Sequence, residues 1–364
     1  MKLAVDLRKL SLRPSGIGIY TYNILKELIK KDIQIIGICD VIESKQIINL
    51  KNSGIEIFVY GKEVNNNIEV FRYFKFIEEK LREVSPDVFW EPNFIIPINL
   101  KKRFPNIKFV INIHDMIPIL NKEYCSRIYS LYFKIFLSRT VKFIDGVIYI
   151  SKDGKNKAES YFDILKNKTS IVNYPIIDVN KDISDCKDDD FFLYVGNIEK
   201  RKGIDILISA YTNYLKSGGK NRLILCGGIK EEFYRLLIEK SMSDTKGMIE
   251  YRGYIDECEK ENLLKKCSAF VFPSYAEGFG IPPIEAIIYG KPVIVSNIEV
   301  FKETMSEYAN YFNIKDDNVT CVVENLKNKL LEYNICIANT SLIENKFDIR
   351  KGLEELIEFL KVGI

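Results

Sequence analysis

Two glutamates, Glu277 and Glu285, bracket the short stretch EGFGIPPIE late in the sequence. The two prolines favour a first helical turn, where a missing backbone N–H costs nothing. The pattern therefore predicts that Glu277 lies on a loop and that Glu285 lies within a helix, where its carboxylate can accept hydrogen bonds from two vicinal hydroxyls, as on a ribose. The backbone amides around Gly278 and Gly280 can hold phosphate. A favourable interaction with the helix dipole would by itself explain Glu285. It would explain neither the glycines nor Glu277.

The stretch VGNIEKRKG contains a basic loop, the second group of residues that could take part in binding or catalysis. Lys200, Arg201 and Lys202 precede an amphipathic stretch, and cations at a helix N-terminus are disfavoured by the helix dipole. A bound diphosphate would make cations favourable at this position, because arginine binds it bidentately and lysine adds a point charge. An ordinary exposed basic turn is the alternative. The position directly after a strand favours the phosphate interpretation.

The only histidine, His114, stands in INIHDMIPIL, directly after an apolar run. A single imidazole at the end of a buried strand is either a packed bystander or part of an active site. Near the N-terminus, RPSGIGIYTYN places Gly16 and Gly18 before a helix, where glycine lets the backbone approach a ligand. A tight turn is the alternative there. The stretch is not the dinucleotide fingerprint G-x-G-x-x-G, because Thr21 occupies the third glycine position.

Short apolar runs precede each of these groups and predict the strands that position them. Near-continuous apolar strands are typical of a parallel sheet covered on both faces. The predicted strands cover residues 2–7, 33–40, 54–60, 87–90, 108–113 and 146–151, and then 191–196, 222–228, 248–255, 268–274 and 291–297. Amphipathic stretches alternate with them, which indicates doubly wound α/β architecture.

The pattern restarts after a charged stretch at 180–190, and we read its acidic run, Asp188–Asp190, as a solvated linker. Two Rossmann-like domains are therefore predicted, over 1–175 and 176–347, with a last helix at about 348–364 that can pack back on the first domain or on the second. Ligands of open α/β sheets bind outside the carboxyl ends of the strands. Two such domains predict a cleft between them that holds the site.

The overall composition excludes several classes of function. With 53 basic and 50 acidic residues the net charge is +3, too small to indicate a nucleic-acid partner. No apolar run approaches the length of a membrane span, and the N-terminus lacks the apolar region of a signal peptide. The eight cysteines are scattered without a C-x-x-C pair, which favours a cytoplasmic protein without a disulfide framework or a metal site.

EGFGIPPIE, with seven residues between its acids, resembles the paired-glutamate signature of retaining GT-B glycosyltransferases of family 4, the group 1 glycosyltransferases, and in particular their mannosyltransferases. Further stretches occur in the family's order from residue 6 to about 315. They are RPSGIGIY, INIHDMIP, GVIYIS, YVGNIEKRKG, LILCGG, YRGYI and FVFPSYAEGFG. The ordered set makes the resemblance specific, and it implies a GT-B fold with an acceptor-side domain followed by a nucleotide-sugar domain.

The resemblance implies a role for each matching residue. Glu277 and His114 are expected at the donor sugar as catalytic residues, with the amides of Gly278, Phe279, Gly280 and Ile281 beside sugar and phosphate. The donor diphosphate is expected on Arg201, Lys202 and Gly16. Glu285 is expected on the ribose, and Tyr254 and Ile255 near the base.

The reaction that the resemblance implies moves a hexose from a nucleotide sugar to a glycan or lipid-linked acceptor, with retention of anomeric configuration and without a metal or other cofactor. GDP-mannose is the first expectation for the donor and a UDP-sugar the second. Glu285 is committed to the ribose, so a two-carboxylate double displacement is not expected. A dehydrogenase, an epimerase or phosphorylase of related fold, and an inert nucleotide-sugar-binding subunit are the alternatives.

A basic, aromatic segment at 127–144 leaves a further question open. Between residues 122 and 157, eight lysines and arginines stand against three acidic residues. Such a helix can rest on anionic lipid, which would place the protein peripherally on the inner face of the cell membrane. A helix packed in the core with solvated lysines is the other interpretation.

Overall fold

The computed structural model describes residues 1–12, 15–97, 99–179, 181, 183, 186–333, 346–347 and 349–363. The chain divides into two compact units. Unit 1 comprises residues 1–176 together with 347–364, and unit 2 comprises residues 177–346.

A seven-stranded parallel sheet forms the centre of unit 1, in the order β3-β2-β1-β4-β5-β6-β7. All six residues of β5 are buried, as expected where helices cover both faces of a sheet. The strands are β1 (Lys2–Asp6), β2 (Gln34–Cys39), β3 (Glu56–Val59), β4 (Val88–Glu91), β5 (Lys108–Ile113), β6 (Gly146–Tyr149) and β7 (Thr169–Val172).

The helices of unit 1 are amphipathic. In α2, the buried side chains of Tyr20, Ile24 and Leu28 share one face, and the Ser15 hydroxyl caps the first turn. The helices are α1 (Arg8–Ser11), α2 (Gly16–Leu28), α3 (Lys45–Asn52), α4 (Asn67–Val84), α5 (Leu100–Arg103), α6 (Ile117–Leu120), α7 (Arg127–Thr140) and α8 (Lys152–Tyr161).

The last helix, α15 (Ile349–Lys361), belongs to unit 1. The buried Lys108 amine donates to carbonyl groups at the end of this helix, those of Phe359 and of Val362 (2.6 Å). Near its start, the Asn173 side-chain amide donates to the Gly352 carbonyl at 2.9 Å. Side chains from the sheet therefore hold α15 at both ends.

Unit 2 repeats the architecture around a six-stranded parallel sheet, in the order β10-β9-β8-β11-β12-β13. Its strands are β8 (Phe191–Val195), β9 (Arg222–Cys226), β10 (Ile249–Gly253), β11 (Ala269–Phe272), β12 (Val293–Ser296) and β13 (Asn310–Phe312). Its helices are α9 (Ile204–Lys216), α10 (Glu232–Asp244), α11 (Glu257–Lys266), α12 (Ile281–Ile288), α13 (Glu299–Met305) and α14 (Val319–Leu331).

The doubly wound architecture predicted for both halves is confirmed, and each of the eleven predicted strands is present. Two strands, β7 and β13, were not predicted. The acidic run Asp188–Asp190 is not a free linker, because the Ser268 hydroxyl donates to Asp188 and the Asp189 amide donates to the Lys266 carbonyl at 2.9 Å. Within the described residues, no helix has the length and apolarity to cross a bilayer.

Candidate functional site

Two neighbouring strands of unit 2, β8 and β11, carry the predicted donor residues on the loops that follow them. The strands pair in parallel, so both loops leave the same edge of the sheet. The Tyr275 amide donates to the Arg201 carbonyl at 2.9 Å and ties the loops together. Gly203 has φ +65°, and a Cβ there would lie 2.3 Å from the Pro273 carbonyl oxygen. The close approach of the two loops therefore requires the glycine of the R-K-G stretch.

The carboxylate of Glu277 binds both predicted phosphate-binding cations. One oxygen lies 2.5 Å from Lys202 Nζ, and the other lies 2.9 Å from Arg201 Nη1. Arg201 also donates to the Ala276 carbonyl and pairs with Glu199, at 2.7 Å each. The sequence predicted that these three residues follow strand ends, but it did not indicate that the Glu277 carboxylate pairs with both cations.

Within this cluster, neighbouring charges shift the pKa values of Glu277 and Lys202. Burial alone would raise the pKa of Glu277, but Lys202 and Arg201 outweigh it and bring the pKa to about 2. Burial lowers the pKa of Lys202, and the nearby Glu277 carboxylate opposes that shift. Glu277 is thus a firmly ionised carboxylate that pairs with both cations, and an incoming diphosphate would compete with it for both.

The start of α12 lies directly after this loop. Gly280 has φ +98°, and a Cβ there would lie 2.6 Å from the Phe301 ring, so only glycine suits the position. Phe279 is buried, Gly278 is half-buried, and Ile281 begins the helix with two prolines behind it. Within the described structure no side chain caps this first turn. Pro282 and Pro283 have no N–H, so the amides of Ile281 and Ile284 are the donors of this first turn.

Glu285 lies within α12, as predicted, in its second turn, and forms an ion pair that was not predicted. Lys260 Nζ lies 2.8 and 3.0 Å from its two carboxylate oxygens. Burial raises the pKa of Glu285, and Lys260 opposes the shift. Lys260 belongs to α11, whose sequence contains no motif that singles it out. In this arrangement Lys260 fills the place where ribose hydroxyls were predicted to donate.

The two residues predicted to contact the base precede α11. Tyr254 follows β10 and is 88% exposed, whereas Ile255 is buried. Because α11 contacts Glu285 through Lys260, these two residues and the predicted ribose ligand lie on connected elements. An exposed aromatic side chain at a strand end is available for stacking.

In unit 1, His114 follows β5 and its imidazole is fixed by two contacts. Nε2 lies 2.7 Å from the Pro92 carbonyl oxygen, and the Tyr20 ring meets the imidazole edge-on with centroids 5.4 Å apart. A carbonyl only accepts hydrogen bonds, so Nε2 carries the proton and Nδ1 is the acceptor. Burial lowers the pKa of His114 to about 4, so the imidazole is neutral at physiological pH.

The two glycines before α2 have different roles. Gly16 is exposed at the first position of the helix, and a Cβ there would meet no atom within 4 Å. A Cβ on Gly18 would lie 2.1 Å from the Lys9 carbonyl oxygen. Gly18 therefore serves the close packing of α2 on α1, a role that the sequence did not indicate. Gly16 remains available to an anion.

A pocket of about 900 Å³ opens in unit 1 and was not predicted. At its wall, Arg8 pairs with Asp6 at 2.8 Å and with Glu91 at 3.4 Å, at the ends of β1 and β4. Burial, then the Asp6 carboxylate, raise the pKa of Glu91, and Arg8 opposes the shift. The lining includes polar side chains (Arg8, Lys9, Ser11, Asp40, Glu43, Glu63, Asn93) and aromatic ones (Phe74, Phe94, Tyr129, Tyr132). The only sequence signal was the charged pair in VDLR after the first strand.

Together, these arrangements can hold a diphosphate on paired cations, a diol on a buried carboxylate and a polar, ring-shaped molecule in a pocket with aromatic walls. His114 and Gly16 belong to unit 1, and the other predicted site residues belong to unit 2.

Two family models match the chain in succession. The model described as Glycosyltransferase Family 4 matches residues 14–180, and the model described as Glycosyl transferases group 1 matches residues 178–348. Between them they account for nearly all of the chain.

Individual proteins that are similar to this chain support the same family. The O-antigen chain mannosyltransferase RfbU of Salmonella typhimurium is 28% identical over 252 residues, which cover 65% of this chain and 70% of RfbU. The serotype-specific mannosyltransferase WbdA of Escherichia coli is 29% identical over 57% of this chain, and the match spans only 28% of WbdA. Among solved structures, Anabaena HepE in complex with UDP and glucose has a TM-score of 0.73 at 17% identity, covering 99% of both chains. At that identity the likeness shows the fold alone.

Proposed function

The chain belongs to the group 1 glycosyltransferases and carries a family 4 domain in its N-terminal half, and on that premise we propose that it transfers a hexose from a nucleotide sugar to a glycan during synthesis of a surface polysaccharide. The mannosyltransferases RfbU and WbdA, both similar to this chain, support mannose as the sugar and GDP-mannose as the first candidate donor. HepE was crystallised with UDP, and a UDP-sugar is the second candidate.

The observation that carries the proposal is the cluster of Arg201, Lys202 and Glu277. We propose that the donor diphosphate displaces Glu277 from the two cations and takes bidentate contacts from Arg201. Negative charge grows on the diphosphate as the sugar leaves, so both cations stabilise the transition state more than the ground state. Since two positive charges then meet the leaving group, the reaction is proposed to proceed without a metal ion.

Once displaced, Glu277 is free to contact the donor sugar. We propose that it positions the sugar and stabilises positive charge near the reacting carbon, and that the anomeric configuration is retained. Before the donor binds, Lys202 and Arg201 hold the pKa of Glu277 at about 2, so its carboxylate is ionised in the cluster. Glu285 is proposed to exchange Lys260 for the ribose hydroxyls, with Tyr254 and Ile255 at the base.

His114 is proposed to contact the donor sugar as a hydrogen-bond acceptor. Its Nε2–H donates to the Pro92 carbonyl, so Nδ1 is the nitrogen that can receive a sugar hydroxyl. Its low pKa, about 4, argues against a role as a proton donor at neutral pH. Gly16 is proposed to add a backbone contact to the donor phosphate.

The pocket of unit 1 is the proposed acceptor site. Aromatic rings such as those of Tyr129 and Tyr132 pack against the apolar faces of sugars, while Arg8 and Asn93 offer hydrogen bonds to hydroxyls. A volume of about 900 Å³ is in the range of small-molecule sites. A glycan, free or carried on a lipid, is therefore the proposed acceptor. The seven described cysteines are free thiols, which supports a cytoplasmic site of action.

A thermal-shift panel tests the donor assignment. GDP, UDP and ADP, and the corresponding sugars, are added separately to the chain, and a nucleoside diphosphate that binds the folded state raises the melting temperature by mass action. GDP should give the largest shift. Arg201→Gln should abolish it, whereas Arg235→Gln should preserve it, since Arg235 pairs with Glu232 and Glu239 on the surface of α10, outside the cluster. The absence of a shift with every nucleotide would refute the proposal.

The products distinguish a transferase from its alternatives. A transferase releases the nucleoside diphosphate in proportion to the sugar gained by an acceptor, an epimerase releases none, and an inert binder shows a thermal shift without turnover. Chromatography of the nucleotide after incubation with radiolabelled GDP-mannose and a polysaccharide-repeat acceptor separates the three.

A further inference from the structure

The Tyr20 ring, which packs against the imidazole of His114, carries a buried hydroxyl group that has a partner of its own. Tyr20 lies on α2 and is 4% exposed. Its hydroxyl group donates to Asn173 Oδ1 at 3.1 Å, and the backbone carbonyl oxygen of Asn173 lies 3.4 Å away. Asn173 directly follows β7 and is itself buried. Because a buried hydroxyl group needs an acceptor, Asn173 determines where the Tyr20 ring lies.

The side-chain amide of Asn173 makes a second contact, which fixes its orientation. Nδ2 donates to the Gly352 carbonyl oxygen of α15 at 2.9 Å. A carbonyl oxygen only accepts hydrogen bonds, so Nδ2 faces Gly352 and Oδ1 faces the Tyr20 hydroxyl group. The Asn173 backbone amide donates to the carbonyl of Tyr149, at the end of β6, at 2.8 Å. Asn173 therefore connects the sheet, α2 and α15.

The chain re-enters unit 1 at the same place. Phe347 stands two residues before α15 and packs edge-on against Tyr174, the neighbour of Asn173, with ring centroids 5.4 Å apart. Leu353, which follows Gly352 on α15, is buried. The start of α15 is thus packed against unit 1 at the point where Asn173 contacts it.

The Tyr20 ring adds to the hydrogen bond that holds the imidazole at one atom. Nε2 of His114 is bonded to the Pro92 carbonyl oxygen, and the edge-on contact with Tyr20 restrains the rest of the imidazole. His114 is half-buried, so part of its side chain remains accessible to a ligand. Groups in an active site have to be held within about 0.5 Å of their productive positions. A shift of the Tyr20 ring would remove this restraint.

We propose that Tyr20 and Asn173 are positioning residues for His114, and that they make the placement of the imidazole depend on the docking of α15. Loss of either link should let the imidazole move away from its present position. The consequence for turnover rests on the proposed contact of His114 with the donor sugar, whereas the positioning itself does not.

An ordinary packing role is the alternative, in which Asn173 fastens α15 and His114 is unaffected. Lys108 provides the comparison, because its amine holds the other end of α15. Lys108 also begins β5, the strand that ends next to His114. At about 3.3 Å per residue, the two residues lie roughly 20 Å apart. Lys108→Met therefore loosens α15 without touching the link from Asn173 to His114.

Carbon-13 NMR of the imidazole tests the proposal, because the chain contains one histidine and hence one pair of Cδ2–H and Cε1–H signals. Tyr20→Phe keeps the ring and loses its hydroxyl group. Asn173→Leu has nearly the same volume as asparagine but no side-chain donor or acceptor. Both variants should move or double the two signals, and Lys108→Met should leave them in place. Unchanged signals in both variants would overturn the proposal.

Steady-state kinetics measures the consequence for turnover. Tyr20→Phe and Asn173→Leu should each lower kcat by on the order of tenfold, with the KM for the donor and the GDP thermal shift unchanged. Tyr211→Phe is the matched control, because this buried tyrosine of unit 2 donates its hydroxyl group to the Asn221 carbonyl at 2.8 Å. All assays are run below the melting temperature of each variant. An equal fall of kcat in Tyr211→Phe or Lys108→Met would identify ordinary destabilisation as the cause and refute the proposal.

His114→Ala separates a failure of this proposal from a failure of the proposed function. If His114→Ala leaves turnover unchanged while the signals still move in Asn173→Leu, the contact of His114 with the donor sugar is wrong and the positioning of the imidazole is supported. If His114→Ala lowers kcat, but Tyr20→Phe and Asn173→Leu neither move the signals nor lower kcat, the positioning proposal is wrong.

Discussion

At the scale of single residues, the Glu277 carboxylate and the proposed donor diphosphate compete for the same two cations. In this structure its carboxylate pairs with Arg201 and Lys202, and in the proposed complex a diphosphate does so. Glu199 also pairs with Arg201, so two carboxylates balance the two cations. In the proposed exchange the donor displaces Glu277, which predicts opposite effects of one substitution on binding and on turnover.

Glu277→Gln should lower kcat by on the order of a hundredfold, because the charge near the reacting carbon is lost. The affinity for the nucleoside diphosphate should rise, since the carboxylate that pairs with both cations is removed. Steady-state kinetics and calorimetry measure the two quantities. Glu239→Gln is the control, because Glu239 pairs with Arg235 on α10, outside the cluster. A fall in nucleotide affinity that parallels the fall in kcat would contradict the exchange.

His114 makes a direct test of proton position possible, because it is the only histidine in the chain. Its pKa is lowered to about 4, against about 6.5 in an unfolded chain. Between these pH values the unfolded state binds more protons, so the stability contribution present above pH 6.5 should be lost as pH falls towards 4.

Nitrogen-15 NMR of the untagged chain should show one imidazole, protonated at Nε2 and not titrating above about pH 5. In the His114→Gln variant, the stability lost between pH 6.5 and 4 should decrease, as measured by denaturant unfolding. A titration near pH 6.5 would show that the imidazole is not enclosed as described.

The sequence was sufficient to place the site residues at strand ends, and insufficient to identify their partners. Arg201, Lys202 and Glu277 each follow an apolar run, and parallel topology brings such positions together. Lys260 lies on a helix with ordinary surface composition, and its contact with Glu285 depends on how α11 packs. Periodicity reports which face of a helix is buried, but it does not report which side chain of a neighbouring element lies opposite.

At the scale of elements, the same limit applies to the two strands that were not predicted. β7 and β13 each lie at an edge of their sheet, with one neighbouring strand, and comprise four and three residues. Their residues are mostly half-buried, so no continuous apolar run marks them. Central strands such as β5 are covered on both faces, which is why their sequences were unambiguous.

The start of α2 offers a matched pair of glycine substitutions. Gly18→Ala should destabilise unit 1 by about 1–3 kcal/mol, because its Cβ would overlap a carbonyl oxygen of α1. Gly16→Ala should leave the melting temperature nearly unchanged, because the position is open. If Gly16 contacts the donor phosphate, the same variant should reduce turnover. Calorimetry and steady-state assays distinguish these effects, and equal melting temperatures for the two variants would contradict the packing role of Gly18.

At the scale of the whole molecule, the chain passes from unit 1 into unit 2 and then returns to unit 1 through α15. Lys108 holds the end of this helix, because its buried amine donates to carbonyl groups there, and Asn173 holds the start. Such groups need partners, because the last four carbonyls of a helix have none within it. The sequence predicted the helix and left open the unit on which it packs.

Lys108→Met should destabilise unit 1 by about 1–3 kcal/mol, because carbonyl groups at the end of α15 would remain buried without a donor. Denaturant unfolding followed by the single tryptophan, Trp90, reports on unit 1, where that side chain is fully buried. Lys240→Met, on the exposed surface of α10, is the control. The GDP thermal shift should persist in both variants, and an unchanged unfolding midpoint for Lys108→Met would show that α15 is held by its apolar face alone.

The return of α15 also fixes an order of events on the ribosome. All of unit 2 is translated before α15, so the strands and helices of unit 2 are all synthesised while unit 1 still lacks its last helix. During that interval Lys108 and the surface around Gly146, which Phe359 later covers, are open to the solvent and to chaperones. The half of the chain that is synthesised first is therefore the half that is completed last.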